Sequence, residues 1–411
     1  MVVLRICIGR VGTETRTIKG RIRNVTTVDF LVIGAGIAGV SVASELIQHG
    51  SVLLLEAEDH PGYHTTGRSA SMFLEFHSDA TLRALVRHSR PFFDSPPQGF
   101  SARPILGNRG VLFIARSDQL NSLARIIDKN YEDPARVLRG DHRLAVSKHP
   151  ALRPESVAAC LWDPDAMDID VHALLHGFLR AFRQSGGQLQ TGERVTALRR
   201  DDSCWKARTD KADYRASVII NAAGAWADEV GRIAGAQKIG LVPKRRSACI
   251  IPADTINVTK WPMVGDVDEE FYFKPDAGNL LLSPAEETSM LPCDVYADEL
   301  EIARAVACLE AATNIQVTRK IGRQWAGLRS FVEDRMPVVG YDAKTEGFFW
   351  LAGQGGDGIQ TSPALSRLAA ALVIHESVPD DLAGDGVTRE SLSPERLHPV
   401  KNGLLESGKH L

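Results

Sequence analysis

The stretch "FLVIGAGIAGVSVASELIQHGSVLLLEA", Phe30 to Ala57, sets the architecture of this chain. It opens as an apolar, β-branched run that stops at Gly34. Apolar residues then recur at helical spacing as far as Gly50, a fitting C-cap. "SVLLLEA" follows as a second buried strand. Strand, glycine turn, helix and strand in immediate succession predict a βαβ unit with a right-handed crossover. Gly34, Gly36 and Gly39 match G-x-G-x-x-G at the turn, with Ile37 and Ala38 between the last two. The first glycine permits the tight turn, the second lets backbone approach a pyrophosphate, and the third allows close helix–strand packing. Glu56 closes the second strand 22 residues after Gly34, placed to accept hydrogen bonds from a ribose diol. An acid there argues against a 2′-phosphate. The fingerprint in this context predicts a dinucleotide site and leaves nicotinamide and flavin forms open.

Two later segments repeat the strand-to-helix logic: "ASVIINAAGAWADEVGRIAGA" at 216–236 and "GFFWLAGQGGDGIQTSPALSRLAAALVIHE" at 347–376. Residues 29–100, 160–240 and 322–378 are therefore read as pieces of one nucleotide-binding domain. Residues 101–159 and 241–321 carry short strands ("GVLFIA", "SACIIPA", "EEFYFKPDAGNLLLSPA") and a helix around Ala297–Ala312. They are read as a second domain, inserted twice and built on an antiparallel sheet. Residues 1–28 form a basic, Thr-rich arm expected to be disordered, compatible with a transit-like leader or a misassigned start. Residues 379–411 form a polar tail expected to wrap the surface or fray.

The bulk numbers agree with a globular α/β protein. Charged residues make up 24% and the net charge is −3, which gives no electrostatic case for nucleic acid or an anionic membrane. No apolar run reaches the ~18 residues of a membrane span. The six cysteines are widely spaced, and no His, Cys or carboxylate cluster has metal-ligand spacing. Unpaired thiols and a cytoplasmic location are expected, with peripheral membrane association compatible.

The run "DFLVIGAGIAG…LLLEAEDHPGYHTTGRSASMF", followed by "NAAGAWAD", "PKRRSA", "FYFKPDAG", "WAGLRSF" and "GFFWLAGQGGDGIQTSPA", resembles the D-amino acid oxidase superfamily of FAD enzymes. Within it the chain is most similar to the bacterial D-arginine dehydrogenase type, over roughly residues 29–397. The resemblance implies a Rossmann-like FAD-binding domain with the inserted domain carrying substrate. No Cys or His lies at a recognisable linkage motif, so non-covalent FAD is expected. Thr66, Arg68 and Ser69 would face the phosphates, and Ala70 to Met72 the flavin ring. Val195 would meet the adenine by its backbone, and Ala223 and Gly224 would let a second turn approach the cofactor. Gly355, Gly356, Gly358, Ile359 and Gln360 would stabilise negative charge at one flavin edge. Arg68 could equally be a solvated loop charge.

The same resemblance makes Arg329 a substrate-carboxylate clamp, with Tyr272 donating to that carboxylate and Arg246 as a second pocket residue. A guanidinium among apolar neighbours needs a carboxylate partner. For Arg329 the alternative is a buried ion pair to Asp334 or another acid. A core role for Tyr272 and a solvated basic run for Arg246 are the corresponding alternatives. The reaction implied is hydride transfer from the α-carbon of a D-amino or imino acid to flavin N5. The imine formed would hydrolyse to a 2-oxo acid and ammonia. Oxygen and a quinone or respiratory carrier are both open as electron acceptor. Alternatives are oxidation of a 2-hydroxy acid, with His77 or His64 as base, oxidation of an N-methyl amino acid, and a non-catalytic flavoprotein subunit. The chain departs from arginine-preferring relatives at Met72 and His77, and "LGNRGVL" at 106–112 holds Arg109 but no acid. That speaks against a cationic side chain and for an apolar pocket, while His77 and Arg109 leave an acidic side chain open.

Overall fold

The computed structural model describes residues 12–18, 21–76, 79–129, 137–201, 203–253, 256–317 and 321–398, with side chains from Val25 onward. The fingerprint strand Arg21–Ile33 lies in the middle of a mixed sheet. Val52–Leu55 pairs with it in parallel on one side, with Gln188–Gln190 beyond. Asp213–Asn221 pairs in parallel on the other side. Side chains alternate across the fingerprint strand. Phe30 and Val32 enter one core with Phe178, Phe182 and Leu368, while Leu31 and Ile33 enter another with Trp205, Ile219 and Trp350. Both faces are covered here, which is why Phe30 to Ile33 has no polar positions.

Asp213–Asn221 forks the sheet. Its first half pairs with Trp205–Thr209 and its second half with Phe348–Ala352. The indole of Trp205 fills the fork, donating to the carbonyl of Gly347 at 3.1 Å. The carboxyl ends of Ile33, Leu55, Asn221 and Ala352 thereby come to one edge, where α/β sheets bind ligands.

A second sheet runs in the order Thr288–Ser289, Val242–Ile251, Asn279–Ser283, Tyr272–Asp276, Met263–Asp266, Val111–Ala115, Ala159–Asp163 and Leu138–Gly140. Its pairings are antiparallel except Met263–Asp266 with Val111–Ala115. Helix Glu299–Ala312 covers one face through Ile302, Ala305 and Leu309. Asp298 caps that helix by accepting from the amides of Leu300 and Glu301.

Three expectations need correction. Gln324–Phe331, placed with the nucleotide-binding domain by the 322 boundary, belongs to the second sheet and pairs with Val242–Ile251. Ala159–Asp163 likewise completes that sheet, so the return crossing falls after it rather than at 160. Part of the arm expected to be disordered is strand. Gly12–Ile18 pairs antiparallel with the start of Arg21–Ile33, so the fingerprint strand is longer than its apolar run. The tail is docked as far as His398, with Leu382 and Leu392 fully buried in the first core; residues 399–411 lie outside the described ones. Among the described residues no helix is long and apolar enough to cross a membrane. Cys160, Cys204, Cys249, Cys293 and Cys308 are unpaired.

Candidate active site

The glycines of the fingerprint do different work. Gly34 sits at φ +102°, and a Cβ there would lie 2.4 Å from the carbonyl of Ala222. A Cβ on Gly39 would lie 1.8 Å from the carbonyl of Gly34. Both contacts are with backbone, so no rotamer relieves them. Gly36 is different: its face opens toward the cleft, with only the Thr66 hydroxyl near. Glu56 locks the turn, accepting from the amide of Ala35 at 2.7 Å and that of Glu58 at 3.0 Å. Each of its oxygens keeps a lone pair for a ribose hydroxyl.

The loop "PGYHTTGRSASMF" threads between this turn and Gln324–Phe331. Gly62 donates to Ala35, the amide of Ile37 donates to the Thr66 hydroxyl, and Thr65 donates to the carbonyl of Leu328 at 2.7 Å. Arg68 borders the cleft but spends its donors on protein groups. Its guanidinium donates to the carbonyls of Tyr63, Val295 and Ala326 and to the Asp294 carboxylate, strapping the loop to the second domain.

Two cavities meet at the fingerprint turn and share Gly36, Thr65, Thr66, Ala222 and Gly224. Glu56, Val195, Ala223 and Trp226 line the first. Ile37, Ala38, Ser69, Ala70, Gly355, Gly356, Gly358 and Ile359 line the second. A jointed slot with a ribose-type acid at one end and a glycine turn at the hinge fits an extended dinucleotide such as FAD. Gln360 lies farther on, fixing the loop by accepting from the amide of Leu74 at 2.9 Å.

The second cavity continues into a third, and Ser69, Ala70, Arg246, Tyr272, Arg329 and Gly356 belong to both. Two guanidinium groups meet at this junction. The register of Val242–Ile251 against Gln324–Phe331 sets Lys244 opposite Arg329 and Arg246 opposite Gly327, so all three side chains share one face. Arg246 is 7% exposed, its Nη2 is 3.4 Å from Glu287, and its Nε has no hydrogen-bond partner. Burial and the neighbouring Arg329 charge lower its pKa. Asp334, the alternative partner for Arg329, is instead held by Arg396 at 2.7 Å. Among the described residues no carboxylate pairs with Arg329, and its guanidinium lies over Gly356. Tyr272 lines both cavities beside these cations. The neighbours of Arg246 make closer ion pairs: Lys244 meets Glu287 at 2.8 Å and Arg245 meets Asp298 at 2.7 Å, although the Nε of Arg245 is also without a partner.

Met72 lines the third cavity, whereas His64 does not. His64 lies in the adenosine-side cavity, bonded to Glu58 at 2.9 Å and packed on Trp226. His77 is outside the described residues. Arg109 is consumed by Asp168 and by the carbonyls of Thr259 and Trp261, which removes it as a partner for an acidic substrate. Sequence reasoning missed Lys274, a buried cation 2.7 Å from Asp168 and 3.4 Å from the carbonyl of Ser71. Its signal was the two-residue spacing from Tyr272 in "FYFKPD", which puts both on one strand face.

The family model described as "DAO: FAD dependent oxidoreductase" matches residues 29–372. Human mitochondrial dimethylglycine dehydrogenase is 23% identical over 404 residues, 91% of this chain and 46% of that protein. The chain thus spans less than half the length of that relative. Glycine oxidase of Geobacillus kaustophilus is 22% identical over 377 residues, 88% of this chain and 97% of the oxidase. Among solved structures, L-proline dehydrogenase from P. horikoshii superposes with a TM-score of 0.78 at 20% identity, covering 90% of this chain and 97% of that one.

Proposed function

The chain belongs to the DAO family of FAD-dependent oxidoreductases, and we propose that it oxidises the α-carbon of a D-amino or imino acid. The observation that carries this reading is the pair Arg246 and Arg329 at the cavity junction. One is buried with an orphaned Nε, and the other has no carboxylate partner among the described residues. Two adjacent guanidinium groups repel each other, and a bound carboxylate relieves that repulsion while satisfying the open donors.

FAD, when bound, supplies the acceptor for the hydride. The glycine turn, Thr66 and the Gly355–Gly358 backbone would hold it, with Glu56 on a ribose. Arg329 and Arg246 would grip the substrate carboxylate with Tyr272 donating to the same group, which fixes the α-carbon relative to the slot. Their charge also disfavours an ammonium on the substrate, so the amine binds neutral and its lone pair is available as the C–H bond breaks. No separate base is needed. A 2-hydroxy acid would need one, and among the described residues no histidine lines this cavity. An N-methyl amino acid uses the same clamp and would release an amine.

The test is anaerobic titration of the purified flavoprotein with D- and L-amino acids, N-methyl amino acids and 2-hydroxy acids, following the flavin absorbance. Bleaching by D-amino or imino acids is expected; bleaching by 2-hydroxy acids alone would overturn the proposal. Arg329→Ala should raise KM about 100-fold or more with flavin content unchanged. A normal KM in that variant would show that the clamp is elsewhere.

A further inference from the structure

We propose that the cavity beyond the two arginines takes a bulky apolar side chain, of leucine, methionine or phenylalanine size. This rests on the amino-acid reading above and names the class of substrate within it. The residues shared between the second and third cavities mark the carboxylate end. The apolar part of the third cavity's lining includes Met72, Leu82, Phe113, Met263, Phe271 and Met336. Three of the six methionines of the whole chain are therefore spent on one cavity. Thioether side chains conform to varied apolar shapes, which suits a range of bulky groups better than one rigid one.

The charges on the same wall are already matched. Glu287 receives both terminal nitrogens of Arg335, at 2.7 and 2.9 Å, and the ammonium of Lys244. Asp266 is buried and accepts from the Gln119 side-chain amide at 2.9 and 3.0 Å and from the backbone amide of Asp268 at 2.9 Å, with Arg116 at 3.3 Å. Asp334 is held by Arg396, Asp79 caps the helix at Leu82, and Asp357 accepts from Gln360. Glu269 stands at the rim with a largely exposed side chain, facing Arg246 at 3.8 Å. Among the described residues a cationic side chain would thus find no buried carboxylate to itself, and an anionic one would compete with Glu287 for Arg335. Glycine or an N-methyl glycine would leave the methionine wall wet. A bulky apolar group would exclude that water, and it is the chemistry the wall lacks a partner for.

The experiment measures kcat/KM and anaerobic flavin bleaching on the holoenzyme with D-leucine, D-methionine, D-phenylalanine, glycine, sarcosine, D-arginine and D-aspartate. The bulky apolar members should exceed glycine and both charged members by about 10- to 100-fold. Preference for glycine or sarcosine, or for a charged member, overturns the inference and leaves amine oxidation standing. Bleaching by 2-hydroxy acids alone overturns the underlying function instead. Two variants probe the wall itself. Met263→Trp should narrow the pocket and lower the D-phenylalanine to D-alanine ratio about tenfold. Met263→Glu should lower D-methionine and raise D-arginine relative to it. Unchanged ratios in a variant with normal flavin content overturn the assignment.

Discussion

The two halves of "PGYHTTGRSASMF" are held by different means. From Gly62 to Arg68 the loop is pinned largely through its own backbone and short hydroxyls. Gly62 bonds to Ala35, Gly67 to Gly62, Thr66 receives the amide of Ile37, and the indole of Trp325 donates to the carbonyl of Arg68. From Ser71 to Leu74 it is pinned by long side chains arriving from elsewhere. Lys274 reaches the carbonyl of Ser71 and Gln360 takes the amide of Leu74, while Met72 pairs with Asp168 in a two-residue strand. The cofactor end is thus specified by backbone geometry together with the Arg68 strap, and the substrate end by side chains reaching in from elsewhere. Changes at the first should act on flavin retention and folding, and changes at the second on turnover.

The largest effect is expected at Gly39. Its added methyl would fall 1.8 Å from the carbonyl of Gly34, so Gly39→Ala must separate the helix from the turn. Overpacking against backbone costs about 3 kcal/mol or more, and the variant should purify without flavin and with a lowered Tm. A yellow variant of normal Tm would break the distinction at its first half.

Acid should act on the other side. His149 is fully buried against Trp261 and Phe273, and neither ring nitrogen has a hydrogen-bond partner. Burial pushes its pKa down from 6.5 to about 4. As pH falls below 6.5 the unfolded chain takes up a proton that the folded chain refuses until about pH 4. Stability therefore falls across that window, by roughly 3 kcal/mol, and levels off below it. Melting curves between pH 7.5 and 4 should show this loss, and His149→Leu should flatten it. A parallel decline in both proteins would place the acid sensitivity elsewhere.

Much of the first half was legible in the sequence because glycine placement and apolar runs are local signals. Gly34, Gly39 and Glu56 meet within one βαβ unit, and Val195, Ala223 and Gly356 line the slot. The second half was legible only where a motif carried it, as at Arg246, Tyr272 and Arg329. The engagement of Arg68 with Val295 and Ala326, and of Arg109 with Asp168, depends on contacts across more than fifty positions. No spacing rule encodes those. The membership of Gln324–Phe331 was missed for a similar reason: an antiparallel partner some eighty residues earlier decides its sheet, not its own pattern.

Arg68 separates the two accounts of its half of the loop. As a strap it holds three carbonyls and Asp294, so Arg68→Ala should lower stability by about 2 kcal/mol even without flavin. As a phosphate ligand it would weaken flavin binding and leave the apoprotein unchanged. Apoprotein Tm and flavin Kd measured together decide between them.

Lys274 offers the smallest and sharpest comparison. It is 7% exposed, shares a strand face with Tyr272, and touches Asp168, the carbonyl of Ser71 and, at 3.8 Å, the sulfur of Met72. Removing one partner of a buried pair normally leaves a stranded charge, but Asp168 keeps Arg109 at 2.6 Å. Lys274→Met should therefore destabilise by only about 1 kcal/mol. Its effect should instead appear where Ser71 and Met72 line the substrate cavity, as a several-fold lower kcat with unchanged flavin content. An equal loss of flavin would mean that both halves of the loop are held as one unit, and the division drawn between them would fail.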